Sequence, residues 1–494
     1  MTNFQVSTPS LQSTVRHGKQ ALVIGGSIAG LLAAKVLTKY FERVTVIERD
    51  NLREEAEHRH GVPQSPHVHT LLKRGLESLE ELFPGIEAQL ADSGASAIDW
   101  GNDLPWMGFA GWAPRFNSGL ITHTCSRNLL EQTIRRRLAV EDNLVFMQEG
   151  QVISLLSSSD RTSVTGVRVR FRNQPETDLI ADLVVDASGR NSSAPQWLEA
   201  IGYTPPEETV INSFLGYSSC WYQPPTNLQF DWECLYITVQ PPNNNRGGVI
   251  YKVEGNRWIL TLIGVGKDYP PTDKEGFLDF ARSLRSPAIY EAIRDAQPLS
   301  SIYGYRRTEN RLRHYEKLKR VPENFVLVGD AVCAFNPVYG QGMTVAAIDA
   351  LTLDQCLNQQ LSSHLDWNLI GLSRHFQKQL NKVIAVPWLM TTGEDLRWDT
   401  TEGGQPDFIS RLMQRYLDQV LLLQTESAEI HKTFLEVIHM LKPPTVFFQP
   451  SISKKVLKRV INWHSKNEHF TDQQDVPKKL YDVISAQKSP VTKS

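Results

Sequence analysis

Hydrophobic and polar positions follow two regimes along this chain. An apolar run, QALVIG at 20–25, ends in glycine, apolar residues recur at helical spacing through Leu31, Leu32, Val36 and Leu37 over 28–39, and a second run, RVTVIE, follows at 43–48. Short apolar runs bounded by turn residues predict buried strands, and spacing near 3.6 predicts a helix between them. A right-handed crossover lays the two strands side by side in a parallel sheet. The charged segment 51–66 is rich in turn formers and predicts a loop, and 68–82 predicts a helix. Alternating patterns at 97–99, 120–123, 151–156, 163–171 and 179–186 predict further strands. A denser strand group at 213–222, 235–240, 248–253 and 258–264, broken by PPNNNRGG at 241–248, predicts a separate antiparallel sheet suited to one wall of a pocket. Beyond 345 the pattern is mostly helical.

The fold class expected is therefore α/β: a Rossmann-like unit with a parallel sheet, a second α+β unit with an antiparallel sheet, and a helical C-terminal region. Segments 20–90, 118–195 and 300–375 fall to the first unit, 91–117 and 196–299 to the second, and 376–466 to the helical region. Polar tails are expected at 1–19, flexible, and at 467–494.

Composition narrows the partners. With 52 basic and 54 acidic residues the formal net charge is −2, so no strong field gathers nucleic acid. Five widely spaced cysteines without a C-x-x-C argue against a disulfide framework or structural zinc. No apolar run approaches the roughly 18 residues of a membrane-spanning helix, and a cytoplasmic protein, monomeric or homodimeric, is expected.

Two motifs carry chemistry. Gly25, Gly26, Ser27, Ile28, Ala29 and Gly30 follow the first strand and open the first helix. Glycines there let backbone approach a pyrophosphate, and exposed helix-start amides favour the anion. Ser27 stands where the dinucleotide fingerprint has its second glycine. Glu48, at the end of the second strand and followed by Arg49, is placed to bind an unphosphorylated ribose, as in FAD or NAD. The second motif, NFVLVGDAVCAFNPVYGQGM at 324–343, runs from a strand through Asp330, Pro337, Gly340 and Gly342 into an Ala-rich helix beginning near Met343.

With these motifs the sequence resembles the FAD-dependent monooxygenase superfamily of aromatic-ring hydroxylases, halogenases and geranylgeranyl reductases. The resemblance implies that the first unit binds FAD, that Asp330 holds its ribitol chain, and that the helix near Gly342 faces the pyrimidine end of the flavin. It further implies that Arg127, in a Ser-Arg-x-x-Leu-Glu helix, approaches the phosphate and ribityl region, and that Val152 lies on the strand whose backbone contacts adenine. Ser188, in LVVDASGR at 183–190, replaces the aspartate that aromatic hydroxylases carry. Electrons would then come from NAD(P)H directly or from a separate flavin reductase. The halogenase signature Trp-x-Trp-x-Ile-Pro is absent. RHGVPQ at 59–64 with His67 and His69, and the later Pro387-Trp388 and GEDLR at 393–397, resemble a bacterial branch of tailoring oxygenases.

The implied reaction is hydroxylation or epoxidation of a bulky apolar metabolite, aromatic, polyketide or terpenoid, through a flavin C4a-hydroperoxide. Alternatives are an FAD-dependent dehydrogenase or isoprenoid reductase and a non-redox flavoprotein cyclase. Oxygen chemistry needs a dry pocket, for which Trp106, Trp112, Tyr222, Trp232, Tyr236, Tyr251, Trp258 and Pro337 are the candidate walls. His67 and His69 are candidates to donate a proton or polarise a substrate oxygen, against a local capping role. Arg59 is the candidate charge at the flavin's edge, against a surface ion pair. No metal site is expected, because two histidines without a carboxylate set do not make one.

Overall fold

The computed structural model describes residues 16–225, 230–363 and 367–466. The chain opens with β1 (Gly18–Ile24), α1 (Ile28–Leu37) and β2 (Phe41–Ile47). The ends of both strands are fully buried, and α1 is buried almost all round, as expected of a helix sandwiched against a parallel sheet. α2 (Arg127–Leu138), capped by the Ser126 hydroxyl accepting from Leu129 N, leads to β3 (Leu144–Met147), and β4 (Leu183–Asp186) follows. The antiparallel sheet is built from β5 (Gly216–Gln223), β6 (Cys234–Ile237), β7 (Arg246–Val253) and β8 (Arg257–Gly264). β9 (Phe325–Leu327) then returns to the first sheet, whose order β9-β4-β1-β2-β3 is parallel throughout.

Helix α3 (Gly342–Ser363) packs on α1 and on α4 (Leu372–Asp395), and α4, α5 (Phe408–Gln424) and α6 (Ala428–Ile438) border the cavity. The antiparallel sheet, in the order β5-β8-β7-β6, is extended by Trp106–Gly108 running parallel to β6. One of its faces packs on the short helices Lys274–Arg282 and Ala288–Ile293 through Phe277, Phe280 and Ile289, and the other is left for a cavity.

Three expectations need correction. The pattern at 179–186 is two strands, because the chain changes neighbours at Asp182, whose carboxylate accepts from the Lys19 and Gln20 amides. Thr177–Ile180 pairs antiparallel with Val164–Phe171, whereas β4 joins the parallel sheet. The helix expected over 68–82 spans only Lys73–Leu82. Its first five residues are held instead by two distant threonines: Val68 N donates to Thr261 Oγ1, and Leu72 N to Thr344 Oγ1. The N-terminal tail is shorter than expected, since β1 begins at Gly18. Residues 1–15 and 467–494 lie outside the described residues.

Candidate active site

The turn after β1 is shaped by close backbone approach. Gly25 adopts φ +102°, and a Cβ there would meet the Ala187 carbonyl oxygen at 2.6 Å. A Cβ on Gly30 would lie 1.8 Å from the Gly25 oxygen, so α1 packs directly on the turn. Glu48 closes the turn from β2: its Oε2 accepts from Gly26 N at 2.7 Å. Ser27 is the N-cap of α1, yet no side chain caps that helix. Its hydroxyl donates to Glu131 Oε2 at 2.7 Å and accepts from Arg127 Nη2 at 2.8 Å. The first-turn amides of α1 thus keep no side-chain partner, which is the arrangement that receives an anion.

Behind the turn lies a buried ionic cluster. Arg59 donates from Nε and Nη2 to Glu131 Oε1 at 3.0 and 2.7 Å, and its Nη1 is 3.1 Å from both Glu48 and Asp50. Its Nη2 also donates to the Gly26 oxygen at 3.1 Å. Such a satisfied network fixes geometry rather than adding much stability. Arg59, expected at the flavin's edge, therefore holds the turn from behind and does not line the cavity. Glu131, which sequence reading gave no role, joins both arginines. Its signal, an acid four residues after Arg127 on α2, is ordinary for any exposed helix.

The two distant motifs meet. Gly329 follows β9 at φ +60°, and a Cβ on it would sit 2.8 Å from the Ala29 Cβ. Asp330 is thereby set beside the start of α1. Ser27, Ile28, Ala29, Arg49, Arg127, Asp330, Gly340, Gly342 and Met343 line one cavity, with Gly25, Gly26, Gly30 and Glu48 forming the turn behind it. Val152 is packed in the core beside the sheet and does not reach the cavity. Burial raises the Asp330 pKa, against the pull of Arg190 and Arg127. The Gly329 amide donates to Asp349 Oδ2 at 2.9 Å, and burial, with the Asp330 charge adding to it, pushes the Asp349 carboxyl up to about 7.

The cavity, about 1120 Å³, continues from these residues along the antiparallel sheet to α4, α5 and α6. Side-chain parity decides which aromatics reach it. Tyr236, Tyr251, Trp106 and Pro337 line it; Tyr222 and Trp258, cross-strand partners on the opposite face, are buried against the short helices. Trp232 stacks on Trp258 at 5.3 Å, and Trp112 is 42% exposed on the sheet's edge. These four do not line the cavity.

His67 and His69 both do. His67 Nδ1 lies 2.7 Å from Ser219 Oγ, which is 2.6 Å from Thr261 Oγ1, itself an acceptor for Val68 N. Every hydroxyl finds an acceptor when Thr261 donates to Ser219 and Ser219 to Nδ1, which leaves the His67 proton on Nε2. That nitrogen is buried without a partner. His69 Nδ1 donates to the His67 oxygen at 3.0 Å. Burial, with the neighbouring imidazoles for His67 and with Arg127 for His69, pulls each pKa down to about 3. Both rings are neutral at neutral pH and act through neutral N–H or lone pair. Among the described residues no cluster of His, Cys, Asp and Glu has metal-site geometry, all five cysteines are buried free thiols, and no helix is long and apolar enough to cross a membrane.

Comparison with known proteins adds the family. The model of the family described as FAD binding domain matches residues 19–370. The chain belongs to that family. It is an FAD-dependent oxidoreductase of the monooxygenase superfamily. Protein Rv3254 of Mycobacterium tuberculosis is 31% identical over 391 residues, covering 76% of this chain and 80% of that protein. A kynurenine 3-monooxygenase of Salinispora arenicola is 26% identical over 359 residues, 69% and 73% of the two chains. The flavin-dependent brominase Bmp2 shares the fold with a TM-score of 0.61 at 13% identity, over 90% of this chain and 99% of that one.

The residues of the flavoprotein fit an FAD. The turn carries glycines at 25 and 26 with the Ser27 hydroxyl turned to Glu131 and Arg127, α1 is uncapped, and Arg127 lines the cavity with a buried Nε that has no protein partner. Gln341, between Gly340 and the first residue of α3, Gly342, likewise buries an unpartnered Oε1 beside the cavity. Orphaned buried polar atoms on one wall call for a polar ligand.

Proposed function

We propose that the protein is an FAD-dependent monooxygenase that inserts one oxygen atom into a bulky, mainly apolar metabolite. The observation that carries this reading is the single cavity that joins the cofactor turn and Asp330 to the inner sheet face and the C-terminal helices. Its walls beyond the turn are largely apolar and aromatic, through Trp106, Val249, Tyr251, Ile263 and Phe434. A region of this size takes a cofactor and a sizeable substrate end to end.

FAD, when bound, supplies the oxygen activation and the redox capacity that no side chain has. The protein's residues position and exclude. α1's open amides and Arg127 would hold the pyrophosphate, Glu48 would steady the turn near the ribose, and Asp330 would hold the ribityl chain. α3, whose first turn lines the cavity through Gly342, Met343 and Ala346, would set its positive end toward the reduced flavin. The sheet face excludes water, which a reactive oxygen species requires. His67, held by Ser219 and Thr261, would offer a neutral N–H to a bound oxygen. Electrons would come from NAD(P)H or from a flavin reductase, and segments 20–90, 118–195 and 300–375 would form the flavin unit.

Likeness to the brominase is at the level of fold, and the Trp-x-Trp-x-Ile-Pro signature is absent; oxygen insertion is therefore preferred to halogenation. Turnover under oxygen-18 gas decides between them. One labelled atom in the product is expected, and an unlabelled reduced, dehydrogenated, cyclised or halogenated product overturns the proposal.

A further inference from the structure

The GEDLR segment at 393–397 spans the end of α4 and lines the cavity through Gly393, Glu394 and Arg397, and its residues divide into two jobs. Asp395 faces inward: its carboxylate accepts from Asn336 Nδ2 at 3.1 Å, from the Tyr339 hydroxyl at 2.8 Å and from Asn310 Nδ2 at 2.7 Å. It thereby anchors the loop that carries Pro337. Arg397 lines the cavity, its side chain only 7% exposed. Its Nη2 is taken by Asp418 and its Nε lies 3.6 Å from Glu394 Oε2, while its guanidinium sits 5.9 Å from the Phe109 ring. Nη1 is buried and has no partner in the protein.

A buried guanidinium nitrogen left without an acceptor costs free energy unless a ligand supplies one. The charge of Arg397 is already balanced by Asp418 and Glu394, so the missing partner is an uncharged acceptor rather than a carboxylate. Phe109 stands against it, and Tyr236, Tyr339 and Trp398 line the same cavity, offering flat apolar surface.

We propose that Arg397 Nη1 is a recognition subsite for a neutral ketone, quinone or phenol oxygen carried on the substrate's apolar ring system. The subsite deepens the monooxygenase reading and rests on its assignment of the cavity to substrate. It fixes which part of the molecule lies against the end of α4.

Calorimetric titration of the oxidised, FAD-loaded protein with three probes tests it: 1-tetralone, its hydrocarbon counterpart tetralin, and the anion 1-naphthoate. A hydrogen bond to a charged donor predicts that tetralone binds about ten- to a hundredfold more tightly than tetralin, and naphthoate no more tightly than tetralone. Arg397→Met is expected to bring tetralone down to the affinity of tetralin and leave tetralin unmoved. Because that change strands Asp418, the double variant Arg397→Met/Asp418→Leu serves if the single one does not fold. Equal or undetectable binding of tetralone and tetralin, tighter binding of naphthoate, or a preference that survives loss of Arg397 overturns the proposal. No reductant is present in the titration, so it reports independently of the reaction. Oxygen-18 incorporation without the preference faults the subsite alone, and the preference without incorporation faults the reaction alone.

Discussion

The turn after β1 and the sheet face that carries Tyr236 and Tyr251 border one cavity, yet they are shaped by different means. At the turn the backbone itself makes the surface, and side chains stay behind it: Glu48, Arg59 and Glu131 brace the loop without lining the cavity. On the sheet the side chains make the surface, and the backbone only sets which of them face inward. A backbone-built surface tolerates little change and suits a fixed ligand such as a cofactor. A side-chain surface can be redrawn residue by residue without disturbing the ladder beneath, as befits the part of an enzyme that chooses its substrate.

The sharpest break in this comparison is Gly30→Val. With even a Cβ placed 1.8 Å from the Gly25 oxygen, the turn cannot keep its shape, and purified protein is expected to lose its flavin absorbance near 450 nm entirely (about 450 nm being the ordinary flavin band). Tyr236→Phe, on the sheet side, is expected to stay yellow.

Next in size is Glu131→Ala. It leaves Arg59 and Arg127 buried with one carboxylate fewer, and breaking a buried pair costs about 3–5 kcal/mol, measurable by urea unfolding of the flavin-free protein.

A smaller effect comes from Asp349. Its carboxyl sits at about 7 against 3.8 for the free group, so between those values the folded protein retains a proton that the unfolded chain has released. Stability from this group is full below about pH 3.8 and falls as pH rises to about 7, by at most about 1.4 kcal/mol per pH unit. Thermal unfolding of Asp349→Asn compared with the parent across pH 4 to 8 isolates that slope; parallel curves would mean that the carboxyl ionises normally.

The smallest expected change is at Trp112, 42% exposed at the sheet's edge and outside the cavity. Trp112→Ala should alter stability by no more than about 0.5 kcal/mol and leave tetralone affinity unchanged. A marked loss of affinity would bring that edge into the substrate region.

The strand, turn, helix and strand that open the chain were legible in the sequence because their determinants are local. A strand, a glycine turn, a helix and an acid occupy about thirty consecutive residues, and each glycine answers to a contact within the unit or with its neighbouring strand. The meeting of that turn with Asp330 was legible only through family resemblance, since nothing in either segment encodes the approach of Gly329 to Ala29. The cavity's sheet wall was half legible. Aromatic residues were found in the right strands, but register and parity separate Tyr236 and Tyr251 from Tyr222 and Trp258. The ordered stretch before Lys73 was misread as helix because its backbone partners, Thr261 and Thr344, lie about two hundred and more residues away.

What the sequence by itself determined is the set of parts: a glycine turn that opens a helix, an acid at the end of the next strand, a second glycine-aspartate motif and an aromatic-rich group of strands. What only the tertiary structure decided is the company these parts keep. Arg59 became a brace instead of a wall, His67 acquired a hydroxyl chain that fixes its proton, and Arg397 was left with one nitrogen unpaired beside a cavity. Local patterns arise from steric and hydrogen-bonding rules that act over a few residues. Pairing between groups far apart in sequence depends on how the two sheets and the C-terminal helices close around a shared space.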